Sequence, residues 1–129
     1  MWLLNKKKIL VNISFLLILI FIFSGCSSNQ EAISIVKNGH FNNHKEKTVG
    51  KAIEDFFGNP KWTSGVAEDG TNFVNVEGTI LYHEKEVEAV LQFKVDLEER
   101  TFQVNALELN EIPQNKLIIG ALIKKMYDK

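Results

Sequence analysis

From Glu86 to Leu97 the chain alternates: Val87, Ala89, Leu91, Phe93, Val95 and Leu97 are apolar, and between them stand Glu86, Glu88, Val90, Gln92, Lys94 and Asp96. A period of two sustained over that length describes a strand with one buried and one wet face, and it excludes a helix, whose apolar residues recur at three and four. Such a strand is not stable alone. Its apolar row needs neighbouring strands and a covering layer.

The flanking sequence supplies both. Lys61 to Ala67, Phe73 to Tyr82 and Thr101 to Asn110 read as further strands. They are joined by Glu68-Asp69-Gly70, a turn of the Asp-Gly kind, by His83-Glu84-Lys85 and by Glu98-Glu99-Arg100. In the second strand Val74, Val76, Ile80 and Tyr82 share one face, and Asn75, Glu77 and Thr79 the other. In the fourth, Phe102, Val104 and Ala106 share a parity that Leu107 and Leu109 abandon, which predicts a bulge near Ala106-Leu107 or contacts on both faces. Ahead of the sheet, Thr48 is a candidate N-cap for a helix whose Val49, Ala52, Ile53, Phe56 and Phe57 fall on one face, with Gly58 and Pro60 ending it. Earlier still, Ala32 to Val36 reads as a short strand closed by Asn38-Gly39, and Gly39 to Lys47 as a polar loop. After the sheet, Pro113 opens a helix from about Gln114 to Tyr127, with Leu117, Ile118, Ala121, Leu122 and Tyr127 as its apolar stripe and Lys124, Lys125 and Lys129 toward its C-terminal end.

The expected architecture is α+β: a short helix, a four-stranded antiparallel meander and a C-terminal helix, with both helices on the sheet face bearing Leu91 and Phe93. The opposite face, with Glu77, Glu88, Gln92, Gln103 and Asn105, is expected to meet solvent or a partner. Trp62 and Phe73 flank the Asp69-Gly70 hairpin and are further candidates for partner contact, as exposed aromatics often anchor one.

The N-terminus carries an address. Lys6-Lys7-Lys8 precede an apolar run, Phe15 to Phe23, and the small residues Ser24-Gly25 precede Cys26. A basic region, an apolar region and a small-residue cut site describe a secretory signal peptide. The run is shorter than the roughly 20 apolar residues of a membrane-spanning helix and has Asn12 and Ser14 just before it. Phe23-Ser24-Gly25-Cys26 resembles the lipobox of bacterial lipoproteins, although Phe stands where Leu is usual. In that family the bond before the cysteine is cut, between Gly25 and Cys26 here, and the thiol carries the lipid. The resemblance divides the chain into a leader at 1–25, a lipidated cysteine and polar tether at 26–34, with Ser27-Ser28-Asn29-Gln30-Glu31 as its start, and a small α+β domain at 35–129. It implies a lipid-anchored protein on the outer side of the cell membrane, or on the outer membrane of a cell that has two.

A second likeness covers most of residues 35–127. Ile35 to Gly39, Thr48-Val-Gly50, Phe56 to Trp62, Ala106 to Asn110 and Ile112 to Asn115 look like a small domain found in bacterial lipoproteins. The helix-then-sheet order is also similar to that of beta-lactamase inhibitory proteins and small outer-membrane assembly lipoproteins. Those grip other proteins with a sheet face. The likeness rests on topology and transfers no functional residue.

Catalytic chemistry is hard to assemble from the rest. Without Lys6, Lys7 and Lys8 the chain keeps 12 of its 15 basic side chains against 16 acidic ones, a balance of −4 that argues against nucleic acid as a partner. His40 and His44 lie in a polar loop and His83 in a distant turn, short of the three or four ligands that a zinc site needs. Glu84, Glu86 and Glu88 alternate along one strand face, the usual solubilising pattern, rather than facing one another as an acid/base pair. No serine sits in a nucleophile elbow, and no glycine-rich segment opens a helix after a strand. The expectation is a noncatalytic protein-binding or accessory module at the cell envelope, with no cofactor, no metal and an unidentified envelope protein as partner. A small envelope hydrolase and an inhibitor or immunity lipoprotein are the alternatives.

Overall fold

The computed structural model describes residues 27–128. Residues 1–26, with the expected leader, Gly25 and Cys26, and Lys129 lie outside them. The described chain forms helices α1 (Ser27–Asn38) and α2 (Val49–Phe56), strands β1 (Gly58–Val66), β2 (Asn72–Tyr82), β3 (Lys85–Asp96), β4 (Thr101–Leu109) and β5 (Ile112–Pro113), and helix α3 (Lys116–Tyr127). The strands make one antiparallel sheet in the order β1-β2-β3-β4-β5. The α+β class and the helix-covered sheet agree with the sequence analysis, with five strands in place of four.

The alternation in β3 becomes the centre of the core. Ala89, Leu91, Phe93 and Val95 are buried with Val74, Val76 and Ile80 of β2 and Leu107 and Leu109 of β4. Three helices bring the opposing layer: Ala32, Ile35 and Val36 from α1, Val49, Ala52 and Ile53 from α2, and Leu122 and Met126 from α3. Thr48 caps α2 as expected, its hydroxyl accepting from the Lys51 amide at 3.2 Å. Thr48→Ala is expected to lower unfolding free energy by about 1 kcal/mol, the usual worth of such a cap, measured by urea denaturation.

Four local expectations are corrected. Ala32 to Val36 is helical, and the supposed tether at 27–31 is the first part of the same helix. Ile33, Ile35 and Val36 are β-branched and read locally as strand, but Ala32, Ile35 and Val36 at i, i+3 and i+4 make a face that docks across β1 to β4. Ser64 donates its hydroxyl to the Asn29 carbonyl at 2.9 Å, and Arg100 pairs with Glu31 at 2.9 Å, so the helix is tied down from its first turns. The folded unit therefore begins well before residue 35. Second, α2 stops at Phe56, with Phe57 extended and buried, and Gly58 opens β1 instead of closing the helix. There β1 comes so close to β2 that a Cβ on Gly78 would lie 2.7 Å from the Gly58 carbonyl oxygen.

Third, Pro113 is in β5 and α3 starts after it, with Asn115 as N-cap. Asn110 and Glu111 both take left-handed φ, at 49° and 68°, and close a two-residue hairpin between Leu109 and Ile112. His83 and Glu84 do the same between Tyr82 and Lys85, at 50° and 65°. Without a glycine to announce it, the first of these turns is invisible in the sequence, whereas the His83-Glu84 turn lies where the sequence analysis expects one. Fourth, the buried face of α3 is rotated about one residue from the expected stripe. Leu122 and Met126 are buried, Ile118, Ile119 and Tyr127 are partly so, and Leu117 and Ala121 are exposed.

Candidate functional site: the open face of the sheet

All three helices cover one side of the sheet, and side chains directly opposite across paired strands share a face. The register therefore lays out the other, open side in rows. Lys61, Glu77, Val90 and Glu108 form one row, and Thr63, Asn75, Gln92 and Ala106 the next. Phe73, Lys94 and Gln103 form a third, while Glu88 sits opposite Thr79. Glu77, Glu88 and Gln92 thus come together on this face, as expected, and Phe73, expected beside Trp62 at the hairpin, joins them.

Trp62 does not join them. It pairs with Val76, a core residue, whereas Phe73 pairs with Gly65, three residues further along β1. An odd separation along a strand places two side chains on opposite faces. Trp62 packs against the core on the helix side, with the Lys37 ammonium 5.1 Å from its ring centroid. The two aromatics therefore do not form one hairpin-tip anchor.

The open face is less wet than the alternation predicts. Gln92 is buried, as are Asn75, Val90 and Glu108. The bulge in β4 explains part of this. Gln92 pairs with Ala106 and Phe93 with Val104, which leaves Asn105 as the extra residue, close to the expected position. The bulged side chain turns across the face, and its Nδ2 donates to Gln92 Oε1 at 2.7 Å. Glu88 and Gln103 remain exposed, as does Asn105 itself.

Glu108 is the functional candidate that the sequence reading missed. It is 2 % exposed, and its buried Oε2 has no hydrogen-bond partner. Burial beside Val90, and secondarily the negative charge of Glu111, pushes its carboxyl up to about 7. The one available signal was position: an acid between Leu107 and Leu109, just beyond a bulge, has to face away from the helices at the centre of a row.

The histidines are scattered in role. His40 is exposed, His83 packs edge-on to Tyr82, and His44 stacks on Tyr127 with ring centroids 4.3 Å apart. Among the described residues no three His, Cys, Asp or Glu side chains converge as metal ligands would. Glu84 is in the β2–β3 turn, Glu86 and Glu88 are exposed on β3, and Glu98 and Glu99 donate backbone amides to Asp96 Oδ1 at 3.0 Å each. No family model, curated protein or solved structure matches the chain.

Proposed function

We propose that this chain is a lipid-anchored envelope protein whose folded part is a noncatalytic binding module, holding another envelope protein on the open face of its sheet. The observation that carries the anchoring is the order of the N-terminal sequence: a basic stretch, an apolar run from Phe15 to Phe23, then Ser24-Gly25-Cys26 directly before the folded chain. Diacylation of a cysteine so placed gives stable attachment through two chains, which a single chain does not provide. Among the described residues no helix is long and apolar enough to cross a membrane, so none of them supplies a helical span that would compete with a lipid.

The binding half of the reading is supported by the face itself. Its rows combine an aromatic, Phe73, with apolar Val90, a hydrogen-bonded Gln92–Asn105 pair and exposed acids at Glu86 and Glu88. Aromatic and apolar groups amid ordered polar ones are the usual make-up of a protein-recognition patch. The acids favour a partner with basic side chains.

Fractionation of cells expressing the wild-type chain and Cys26→Ser tests the anchor. The wild type is expected with the membranes, and the variant in soluble fractions or at its uncut size. A cleaved variant that stays with membranes removes the lipid from the proposal. Crosslinking in intact cells tests the module: a specific adduct is expected with the wild type and lost with Phe73→Ala/Glu88→Lys. An identical adduct pattern from both chains sinks the open-face reading.

A further inference from the structure

Almost no chain separates the proposed lipid from the fold. Cys26 is bonded directly to Ser27, the first residue of α1, and only three residues of backbone, at most about 11 Å, lead from it to Asn29. There the helix is fastened. The Ser64 hydroxyl of β1 donates to the Asn29 carbonyl at 2.9 Å, and Arg100 pairs with Glu31 at 2.9 Å. Ser64 is two residues from the end of β1, and Arg100 is in the β3–β4 turn. An antiparallel meander has its β1–β2 and β3–β4 turns at one end and its β2–β3 and β4–β5 turns at the other. Both fastenings therefore belong to the first end. The 11 residues of β2 put the two ends roughly 33 Å apart.

The two ends differ in chemistry. The near end exposes Glu68 and Asp69 in one turn and Glu98, Glu99 and Arg100 in the other. Neither turn exposes a large apolar side chain. Among the described residues the exposed large apolar side chains are Leu81, Ile112 and Leu117. Leu81 adjoins the β2–β3 turn, and Ile112 follows the β4–β5 turn. Leu117 is in the first turn of α3 beside Ile118, which overhangs a cavity of about 360 Å³ that Leu81 and Tyr82 also wall. All three are at the far end.

We infer that the domain stands directly on the bilayer by its β1–β2 and β3–β4 turns, with the far end turned away from the lipid. This rests on the lipid anchor proposed above. An inverted domain would lift the anchoring residue roughly 33 Å off the bilayer, about three times what the connection spans. Tilting about the anchor moves the far end most and the near end least. The near end meets the headgroups through charged and polar side chains, so it stays outside the acyl chains. The open face then rises from the membrane along its strands, with Phe73 close to the lipid and Glu88 further out. Its partner is therefore a protein that itself comes within roughly 33 Å of the bilayer. Leu81, Ile112 and Leu117 are presented to the envelope space, not to lipid.

The test uses the processed full-length chain in phosphatidylcholine vesicles. The sequence holds one cysteine, so once that is lipidated an introduced cysteine is the only free thiol. Glu68→Cys and Glu98→Cys mark the near end, and Lys85→Cys and Ile112→Cys the far end, all at exposed positions. Each carries a fluorophore, quenched by lipids with a nitroxide on the headgroup. Near-end labels are expected to be quenched at least about threefold more than far-end labels, and no label by nitroxides at the acyl-chain ends. A flexible Ser-Gly linker of about twenty residues between Cys26 and Ser27, with a reach of roughly 25 Å, is expected to remove the contrast. Equal quenching at both ends of a chain that floats with the vesicles overturns the orientation and leaves the anchor standing. A contrast that survives the linker overturns the part played by the short connection. A chain that does not float with the vesicles removes anchor and orientation together.

Discussion

Phe93→Ala is expected to lower the unfolding free energy by about 3–5 kcal/mol, as for other fully buried aromatics cut back to alanine. Phe93 is completely buried at the middle of β3. Its ring packs against Phe41 of the 39–47 loop, with centroids 6.3 Å apart, and edge-on to Phe102 of β4 at 5.8 Å. Removing it opens a cavity where strand, loop and neighbouring strand meet, and none of the three can close it alone. The sequence holds one cysteine, so no disulfide within the chain can offset the loss. Domains of this size have total stabilities of roughly 5–15 kcal/mol, so the variant is left near the folding threshold. Urea denaturation at unchanged m-value measures the effect. A loss below about 1 kcal/mol contradicts the placement of the core.

Glu108→Gln is expected to stabilise the domain by about 2 kcal/mol at pH 8 and to change little at pH 4. In the unfolded chain this carboxyl ionises near its ordinary 4.5, and in the folded protein near 7. Between those values the folded state keeps a proton that the unfolded state has lost, so stability falls as pH rises through the window and levels off above it. One pKa unit corresponds to about 1.4 kcal/mol, and water around exposed Glu111 reduces the full figure to about 2 kcal/mol. The charged groups sharing the face are Lys61 and Glu77 in the same row, Glu86, Glu88 and Lys94 on β3 and Glu111 in the following turn. Thermal melts of both chains from pH 4 to 8 give the answer. The wild type should lose stability across the window, and a variant with the same slope assigns the pH dependence to another group.

How much of this was legible in the sequence follows from the range of the forces involved. The alternation in β2 and β3, the Asp69-Gly70 turn, the Thr48 cap and the parity break in β4 are all local patterns, and the structure reproduces them. The errors occur where local preference was overruled. The β-branched Ile33, Ile35 and Val36 suggested a strand, and docking on the sheet made them a helix. The β4–β5 turn has no glycine, and β5 forms only because β4 is there to pair with it. On the candidate face, Glu77, Glu88 and Gln92 are readable from strand parity alone. Trp62 was misplaced because its face depends on a register that only pairing sets.

By itself the sequence determined the class of fold, the apolar row that becomes the core and the order of elements, because each follows from side-chain period and capping within a few residues. Tertiary structure alone decided which acid loses its water, that α1 is a helix and that α3 overhangs a cavity. Those outcomes depend on how much solvent a neighbouring element displaces, and distant parts of the chain settle that only when they meet.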